Sequence, residues 1–276
     1  MNKFGNYASI LGLILAIIQI LQGTFQLMIT GAFLTIFFVL LIISKIEKNS
    51  SKHYLIAQKK SQDIHYEIAT SYEKYKSFTL DKSVHELSNI CFQIAKMLTE
   101  LRHCEVSVCV KYTNTKDDIY YVKTLCRDPS SQQKRKNLYD ASIQDDIDKN
   151  TDFKEIFKKI EDKKDWKDVF FFSNYLPQRH QYNNTHLKSE DLPEGIFSYF
   201  SRNKKWPLSY KSTIVVPILS DDNKVIYGYL CVDSPSNRGF NSKRDIRIVQ
   251  DLALFMAPTI RLVSEKHLKS KHDGNN

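Results

Sequence analysis

The hydrophobic residues of this chain are concentrated at its start. From Phe4 to Ser44 the sequence contains no Asp, Glu, Lys, Arg or His, and nearly all of the charged residues follow this run. About 20 helical residues cross the hydrocarbon core of a bilayer, so the run is too long for one span, and the tripeptide at 22–24 interrupts it near its middle. Residues 1–44 are therefore predicted to form a transmembrane helical hairpin.

The two predicted spans run from Tyr7 to Leu21 and from Phe25 to Ile43. Lysines flank the hairpin on both sides, whereas the short turn has neither Lys nor Arg. The positive-inside rule then predicts a multi-pass protein of the cell membrane, with both termini and the remaining residues in the cytoplasm. A cleaved signal peptide is the alternative, but the run is longer than a signal's apolar stretch and no small-residue cleavage site ends it.

A stripe of small residues marks the first span. Ala8, Gly12 and Ala16 recur at a spacing of four and would let another helix backbone approach closely. That helix is either the second span or a span of another chain, so the stripe is a candidate self-association surface. No ionisable residue lies within either span, which argues against a proton relay or a substrate-coupled transporter.

Residues 45–80 are charged, lack Pro and Gly, and are predicted to form a helical arm. Small and apolar residues in the arm recur at alternating spacings of four and three, as in a coiled coil. These residues are Ala57, Ser61, Ile64, Ile68, Ser71, Tyr75 and Phe78. Two interpretations stay open: a parallel dimer that associates through Ile64, Ile68 and Tyr75, and a single amphipathic helix that lies on its own domain.

Residues 81–268 combine helical and strand periodicities. Ser83 and Glu86 form a capping box before an apolar helix face. Residues 105–112 then alternate between apolar and polar positions, which predicts a strand, and residues 119–126 form a second strand after a polar turn. This half is therefore predicted to be a helix followed by a β-hairpin.

The end of the domain repeats this arrangement in the reverse order. Residues 212–219 and 224–234 are two apolar strands separated by a turn of Ser, Asp and Asn. Ser242 and Asp245 then begin a long amphipathic helix in which Pro258 is expected to cause a kink. The predicted fold class is α+β, an antiparallel sheet flanked by helices, and a polar tail at 269–276 follows.

The order of helix, two strands, variable segment, two strands and long helix resembles a GAF domain. The resemblance covers most of residues 81–268, but its distinctive part lies at the end. It is carried by Tyr210–Ile218, Ile226–Ser234, Phe240, Asp245 and Leu252–Ala253. A GAF-like fold implies a small-molecule site between the sheet and the variable middle segment.

The middle segment, residues 127–209, has a predicted helix over 152–163 and is rich in aromatic residues afterwards. In a GAF-like domain these rings would line a pocket and stack on a flat ligand. The candidate ligand-binding residues are Phe172, Tyr175, Phe197, Tyr199 and Trp206. The alternative is that the aromatics are a core under long loops. The cyclic-nucleotide signature of some GAF domains is absent, and no cofactor is identified.

The distribution of charge and the cysteine content limit the classes of binding partner that the chain is expected to have. The formal charge of +9 is spread along the chain, and its lysine runs alternate with acidic residues, so no basic face for nucleic acid is predicted. The five cysteines are odd in number and lie in apolar or strand-like runs, as is typical of reduced core thiols. The expected partners are a membrane, a small molecule and a second copy of the chain.

Catalytic motifs are not visible. The sequence has no Gly-rich phosphate loop, zinc-ligand spacing or nucleophile elbow. His180 and His186 lie in a polar loop and are interpreted as surface histidines, so no metal site is predicted. The chain is predicted not to be an enzyme, although some GAF-like proteins act through cysteines on small oxidised substrates. Candidates for such chemistry are Cys91, Cys104, Cys109 and Cys126.

Three functions remain open. The first is a membrane-anchored sensory or regulatory protein that binds a small molecule and signals through self-association. The second is a two-span membrane effector, similar to those of bacterial anti-phage systems, in which ligand binding triggers a pore. The third is a cysteine-dependent redox enzyme.

Overall fold

The computed structural model describes residues 9–15, 24–116, 119–135, 145–179, 182–187, 206–220 and 225–273. The chain divides into two compact units, Met1–Leu55 and Ile56–Asn276. Helix α1 spans Thr24–Ser77, and a short helical segment covers residues 9–15.

The predicted membrane location is contradicted. Among the residues that the structure describes, no helix has both the length and the apolar character needed to cross a bilayer. Ala8 and Ala16, like residues 22–23 of the predicted turn, lie outside the described residues, and Thr24 of that turn is the first residue of α1. Gly12 belongs to the described helical segment, and among the described residues no heavy atom outside its own helix lies within 4 Å of the position that a Cβ would take.

The second unit contains four more described helices and an antiparallel sheet. The helices are α2 Leu80–Arg102, α3 Pro129–Arg135, α4 Thr151–Glu161 and α5 Arg244–Asp273. The strands are β1 Ser107–Lys116, β2 Ile119–Arg127, β3 Asp145–Asp146, β4 Phe171–Ser173, β5 Ser212–Leu219 and β6 Ile226–Ser234. Among the described residues they form one six-stranded sheet in the order β3-β2-β1-β6-β5-β4. The predicted α+β class is confirmed.

The two faces of the sheet differ because successive side chains of a strand point to opposite sides. Val110 of β1 faces Leu230 of β6, which in turn faces Val216 of β5, and none of the three is more than 1 % exposed. Helices α2 and α5 pack on this apolar face. The other face, here called the polar face because Lys111 and Asp233 lie on it, also carries apolar residues such as Tyr229, and α4 and the loops around it pack there.

The helix starts differ from their predictions by a few residues. Helix α2 begins before the predicted capping box, with Thr79 as its N-cap, and the Ser83 hydroxyl donates to the Thr79 carbonyl oxygen at 2.9 Å. At α5, the Asn241 side chain accepts the backbone N–H of Arg244 at 2.9 Å. The α5 helix continues through Pro258.

The last part of α1 lies on its own domain. Ile64, Ile68 and Tyr75 are at most 3 % exposed, so the predicted seam is buried within the chain that carries it. Its polar flank contacts α2, where the Gln93 amide donates to Glu67 at 2.8 Å. The His65 ring stacks on a ring of α5 with centroids 4.0 Å apart. In the structure, this part of α1 is therefore a single amphipathic helix that lies on its own domain.

We expect Ile68→Asp to unfold the second unit, because it places an unpaired charge among apolar side chains and removes a buried one. The expected cost is at least about 3 kcal/mol in the free energy of unfolding, measured by urea denaturation of the full chain. Tyr66→Asp is the matched control, since Tyr66 lies on the same helix and is 73 % exposed. Equal stabilities of the two variants would contradict the burial of the seam.

Candidate functional site

A cavity of about 550 Å³ lies over the polar face of the sheet. Its floor is formed by side chains of β1, β2, β5 and β6, and its other walls by α4, the loop residues 184 and 186, and Tyr210. Strand β3 pairs with β2 only at Tyr121 and Val122. The cavity extends past this edge to the first turns of α2.

The register of the strands places one row of side chains across the floor. Arg127 of β2 faces Cys109 of β1, which faces Cys231 of β6, and Cys231 faces Val215 of β5. All four line the cavity. Directly facing side chains on one side of an antiparallel sheet are close enough to interact. The floor therefore contains a thiol pair with a guanidinium group on one side and an apolar residue on the other.

A buried ion pair forms part of the wall. The Lys111 ammonium group donates to the Asp145 carboxylate, and their side chains are 15 % and 6 % exposed. Burial disfavours the charged lysine, but Asp145 and the nearby thiols raise the pKa of Lys111 above its usual value. Burial also opposes ionisation of Asp145, yet the hydrogen bond from His186 and the charge of Lys111 lower its pKa to about 2. Both groups are therefore charged at neutral pH.

A second carboxyl group lines the cavity without such a partner. Asp152, in the first turn of α4, is 5 % exposed and accepts the backbone N–H of Phe153 at 3.0 Å. Among the residues that the structure describes, no cation forms an ion pair with it. Burial raises the pKa of Asp152 to about 7, despite the opposing charge of Lys111. Asp152 is thus a buried acid that gains or loses its proton near neutral pH.

A third carboxylate lies at the β5 side of the floor. Asp233 of β6 accepts a hydrogen bond from the Thr213 hydroxyl at 2.7 Å, and both residues line the cavity. Tyr210 closes this side, and burial raises the pKa of its hydroxyl well above the usual value. The charges of Asp233 and Asp145 each raise the pKa of Asp152. Asp152 therefore titrates under the electrostatic influence of two other carboxyl groups.

The thiols of the floor differ from each other in acidity. A hydrogen bond from Cys231 lowers the pKa of Cys109, burial opposes this, and the charges of Arg127 and Lys111 lower it further. The hydrogen bond to Cys109 and burial raise the pKa of Cys231. Cys109 is therefore the more acidic thiol of the pair.

The predicted ligand-binding aromatics lie elsewhere. Phe172 faces Ile214 and points to the opposite side of the sheet from the cavity. Tyr175 is half-buried in the loop after β4, and Trp206 packs at the edge of the core and donates its indole N–H to the Tyr210 carbonyl oxygen at 2.7 Å. None of the three lines the cavity. Phe197 and Tyr199 lie outside the described residues.

Sequence reasoning missed the residues that do form the cavity. Lys111, Asp145, Asp152 and Asp233 were not singled out, although Lys111 lies on the polar face of a correctly predicted strand. The sequence did carry a signal for two of them. Lys111 and Asp233 lie in strands at positions that alternate with apolar residues, which indicates polar side chains on one face of the sheet. His186, predicted at the surface, is 23 % exposed and lies 3.4 Å from an Asp145 oxygen. Within the described ranges, no cluster of three His, Cys, Asp or Glu side chains is arranged to hold a metal ion.

Neither protein-family models nor curated proteins match this chain. Solved structures with a similar fold include the GAF domain of a phosphoenolpyruvate-protein phosphotransferase from Acinetobacter. It is 10 % identical, with 75 % of this chain and 93 % of that chain covered at a TM-score of 0.43. A putative GAF sensor protein from Burkholderia vietnamiensis is 12 % identical, with coverages of 75 % and 94 % and a TM-score of 0.34.

Enzymes are also among the similar structures. Free methionine-R-sulfoxide reductase from Neisseria meningitidis, solved with its substrate, is 13 % identical, with coverages of 77 % and 92 % and a TM-score of 0.46. The prediction that this chain is not an enzyme is contradicted by this finding, because a GAF-like architecture occurs in enzymes as well as in sensory domains. The likeness is one of architecture, and the chemistry of this chain has to be argued from its own cavity.

Proposed function

We propose that this chain is a regulatory protein whose GAF-like domain binds a small molecule with an amine group in the cavity. The observation that carries the proposal is Asp152, a buried carboxyl group on the cavity wall with no ion pair among the described residues. Isolated buried charges are unfavourable, and they are retained where a ligand or function uses them. An ammonium group beside Asp152 would replace its proton and supply the missing charge.

The other charges of the cavity favour the same ligand chemistry. Lys111 is already paired with Asp145, so its charge is largely neutralised within the wall. Asp152 then remains as a buried carboxyl group without an ion pair among the described residues, and Asp233, which accepts from Thr213, adds negative charge nearby. A cationic group is attracted to the carboxyl groups, while an anionic or acceptor group of the same ligand would lie toward Arg127. The proposed ligand class is therefore a small amine, with or without a carboxylate.

Self-association remains a prediction for the output of the domain. Ile64, Ile68 and Tyr75 are buried in their own chain, so they can contact a second copy only after α1 leaves the domain. Exposing large apolar side chains costs about 1.5–3 kcal/mol each, whereas ligand coupling usually supplies about 1–3 kcal/mol in total. Ligand binding alone would therefore leave most copies of α1 on the domain.

The buried acid has a consequence for stability that can be measured. The raised pKa of Asp152 means that the folded state holds its proton where the unfolded state has lost it, between pH of about 4 and 7. Wild-type stability should fall across this window and then level off. Asp152→Asn should remove this loss and be up to about 4 kcal/mol more stable than wild type at pH 8, with little difference at pH 4.

The measurement is urea denaturation of the two proteins at both pH values. The neighbouring Lys111, Asp145 and Asp233 remain in both proteins, so their own titrations largely cancel in the comparison. Asp148→Asn is the control, because the Asp148 side chain is 81 % exposed and should leave the pH dependence of wild type unchanged. A difference between wild type and Asp152→Asn that does not grow with pH would refute the buried ionisation.

The proposed class of ligand, a small amine, is tested with three probes that have carbon chains of equal length: butylamine, 4-aminobutyrate and butyrate. Calorimetric titration of the full chain at pH 8 should show that the two amines bind at least about tenfold more tightly than butyrate, since about 1.4 kcal/mol of charge pairing suffices for that ratio. Amine binding should weaken below pH 7, where Asp152 is protonated, and should be lost in Asp152→Asn but kept in Asp148→Asn. Equal binding of butyrate and butylamine, or unchanged amine binding by Asp152→Asn, would exclude the proposal.

A further inference from the structure

Two cysteines occupy facing positions in the floor of the cavity. Cys109 of β1 and Cys231 of β6 are direct partners in the antiparallel register. Facing residues in such a pair have Cα atoms about 4.5–5.5 Å apart, which lies within the range of about 4.4–6.8 Å found in disulfides. Both are free thiols. The strand register therefore places the two backbone positions within the Cα separation that a disulfide requires.

The surroundings of the pair favour a reactive thiolate. Arg127 is the next side chain along the row, and Lys111 lies two positions further along β1 on the same face. These cations, together with the hydrogen bond from Cys231, lower the pKa of Cys109, while burial and the charge of Asp233 oppose them. A thiolate beside cations is the nucleophilic form of cysteine. Both cysteines line the cavity, although their exposed fractions are only 2 % and 4 %.

A second pair of thiols in the same domain provides an internal comparison. The Sγ atoms of Cys91 and Cys126 are 3.9 Å apart, between α2 and the sheet. The hydrogen bond to Cys126 and burial raise the pKa of Cys91, and no cation lowers it. Proximity of two thiols therefore does not single out Cys109 and Cys231. What distinguishes this pair is the cations around Cys109 and its position in the cavity floor.

We propose that Cys109 and Cys231 form a reversible dithiol–disulfide couple that is oxidised by a small hydroperoxide entering the cavity. The Cys109 thiolate attacks the terminal peroxide oxygen, the O–O bond breaks, and the alkoxide or hydroxide leaves and takes up a proton. Cys109 is then a sulfenic acid. The Cys231 sulfur attacks the Cys109 sulfur, the S–O bond breaks, and water leaves with the thiol proton. Two thiols and one hydroperoxide thus give one disulfide, one alcohol and one water.

Oxidation would change the charge of the cavity. A disulfide carries no charge, so oxidation would remove the negative charge of the Cys109 thiolate that faces the neighbouring cations. The cavity would become more positive on the β1 and β2 side of the floor, with Asp152 and Asp233 unchanged. The couple would therefore make the electrostatic character of the site depend on the presence of peroxide.

The experiment uses the full chain, reduced and then exposed to hydrogen peroxide. Free thiols are blocked with an alkylating reagent before digestion and peptide mapping by mass spectrometry. The expected result is a loss of two free thiols per chain, a cross-linked pair of peptides that contain Cys109 and Cys231, and full recovery of both thiols after dithiothreitol. A disulfide between Cys91 and Cys126 instead, or sulfinic acid at Cys109 without a cross-link, would overturn the proposal.

Variants separate the roles of the two sulfurs. Cys231→Ala should leave Cys109 to form a sulfenic acid that a dimedone probe traps, whereas Cys109→Ala should abolish both the cross-link and dimedone labelling. Cys104→Ala is the control, because Cys104 lies near Gly239 and away from the cavity floor, and it should oxidise like wild type. Dimedone labelling of Cys109→Ala at the wild-type rate would identify another thiol as the nucleophile. The wild-type peptide map needs no variant, so an unfolded variant leaves the proposal testable.

Discussion

The close approach of β6 to β1 determines where every functional group of the domain lies. A Cβ on Gly228 would lie 2.1 Å from the Lys111 carbonyl oxygen, closer than any real contact allows. Glycine at this position therefore lets the two central strands pair in a register that sets Cys109 opposite Cys231. A shift of one residue would turn each side chain to the other face of the sheet. The thiols and Lys111 would then lie against α2 and α5, and the valines would line the cavity.

The same register explains why the polar face must be covered. The side chains of β1 alternate between the two faces of the sheet. Because its neighbours Val110 and Tyr112 are buried on the face that α2 and α5 cover, Lys111 lies on the opposite face, in the interior of the domain. Its charge then requires a partner, which Asp145 supplies from the short strand β3 at the sheet edge. Removing one member of such a pair is more costly than the pair itself is stabilising. The ion pair thus fixes a segment that contributes only two residues to the sheet.

Much of the sheet was predictable because its strands are long and alternate clearly. Strand β5 begins and ends where its apolar run does, and β2 and β6 differ from their predictions by at most two residues. Strands β3 and β4 were missed because two or three residues carry no readable period, and their pairing is set by partners distant in sequence. The cavity was harder still. The charged residues that the cavity takes from β1, β2, β3, α4 and β6 are far apart in sequence, and only the tertiary register brings them together.

The aromatic middle segment contributes part of the hydrophobic core. Its rings were expected to form the ligand surface, but Phe171 packs against Tyr182 with ring centroids 6.0 Å apart, and Tyr182 lies near Trp206 at 6.4 Å. Phe171 and Tyr182 belong to a buried core cluster, and Trp206 packs against it. Large apolar side chains contribute most to stability where they are packed against each other and kept from water. In the proposed function, ligand recognition depends instead on buried charged groups, which are unfavourable unless a partner neutralises them, and Asp152 is the buried carboxyl group without an ion pair among the described residues.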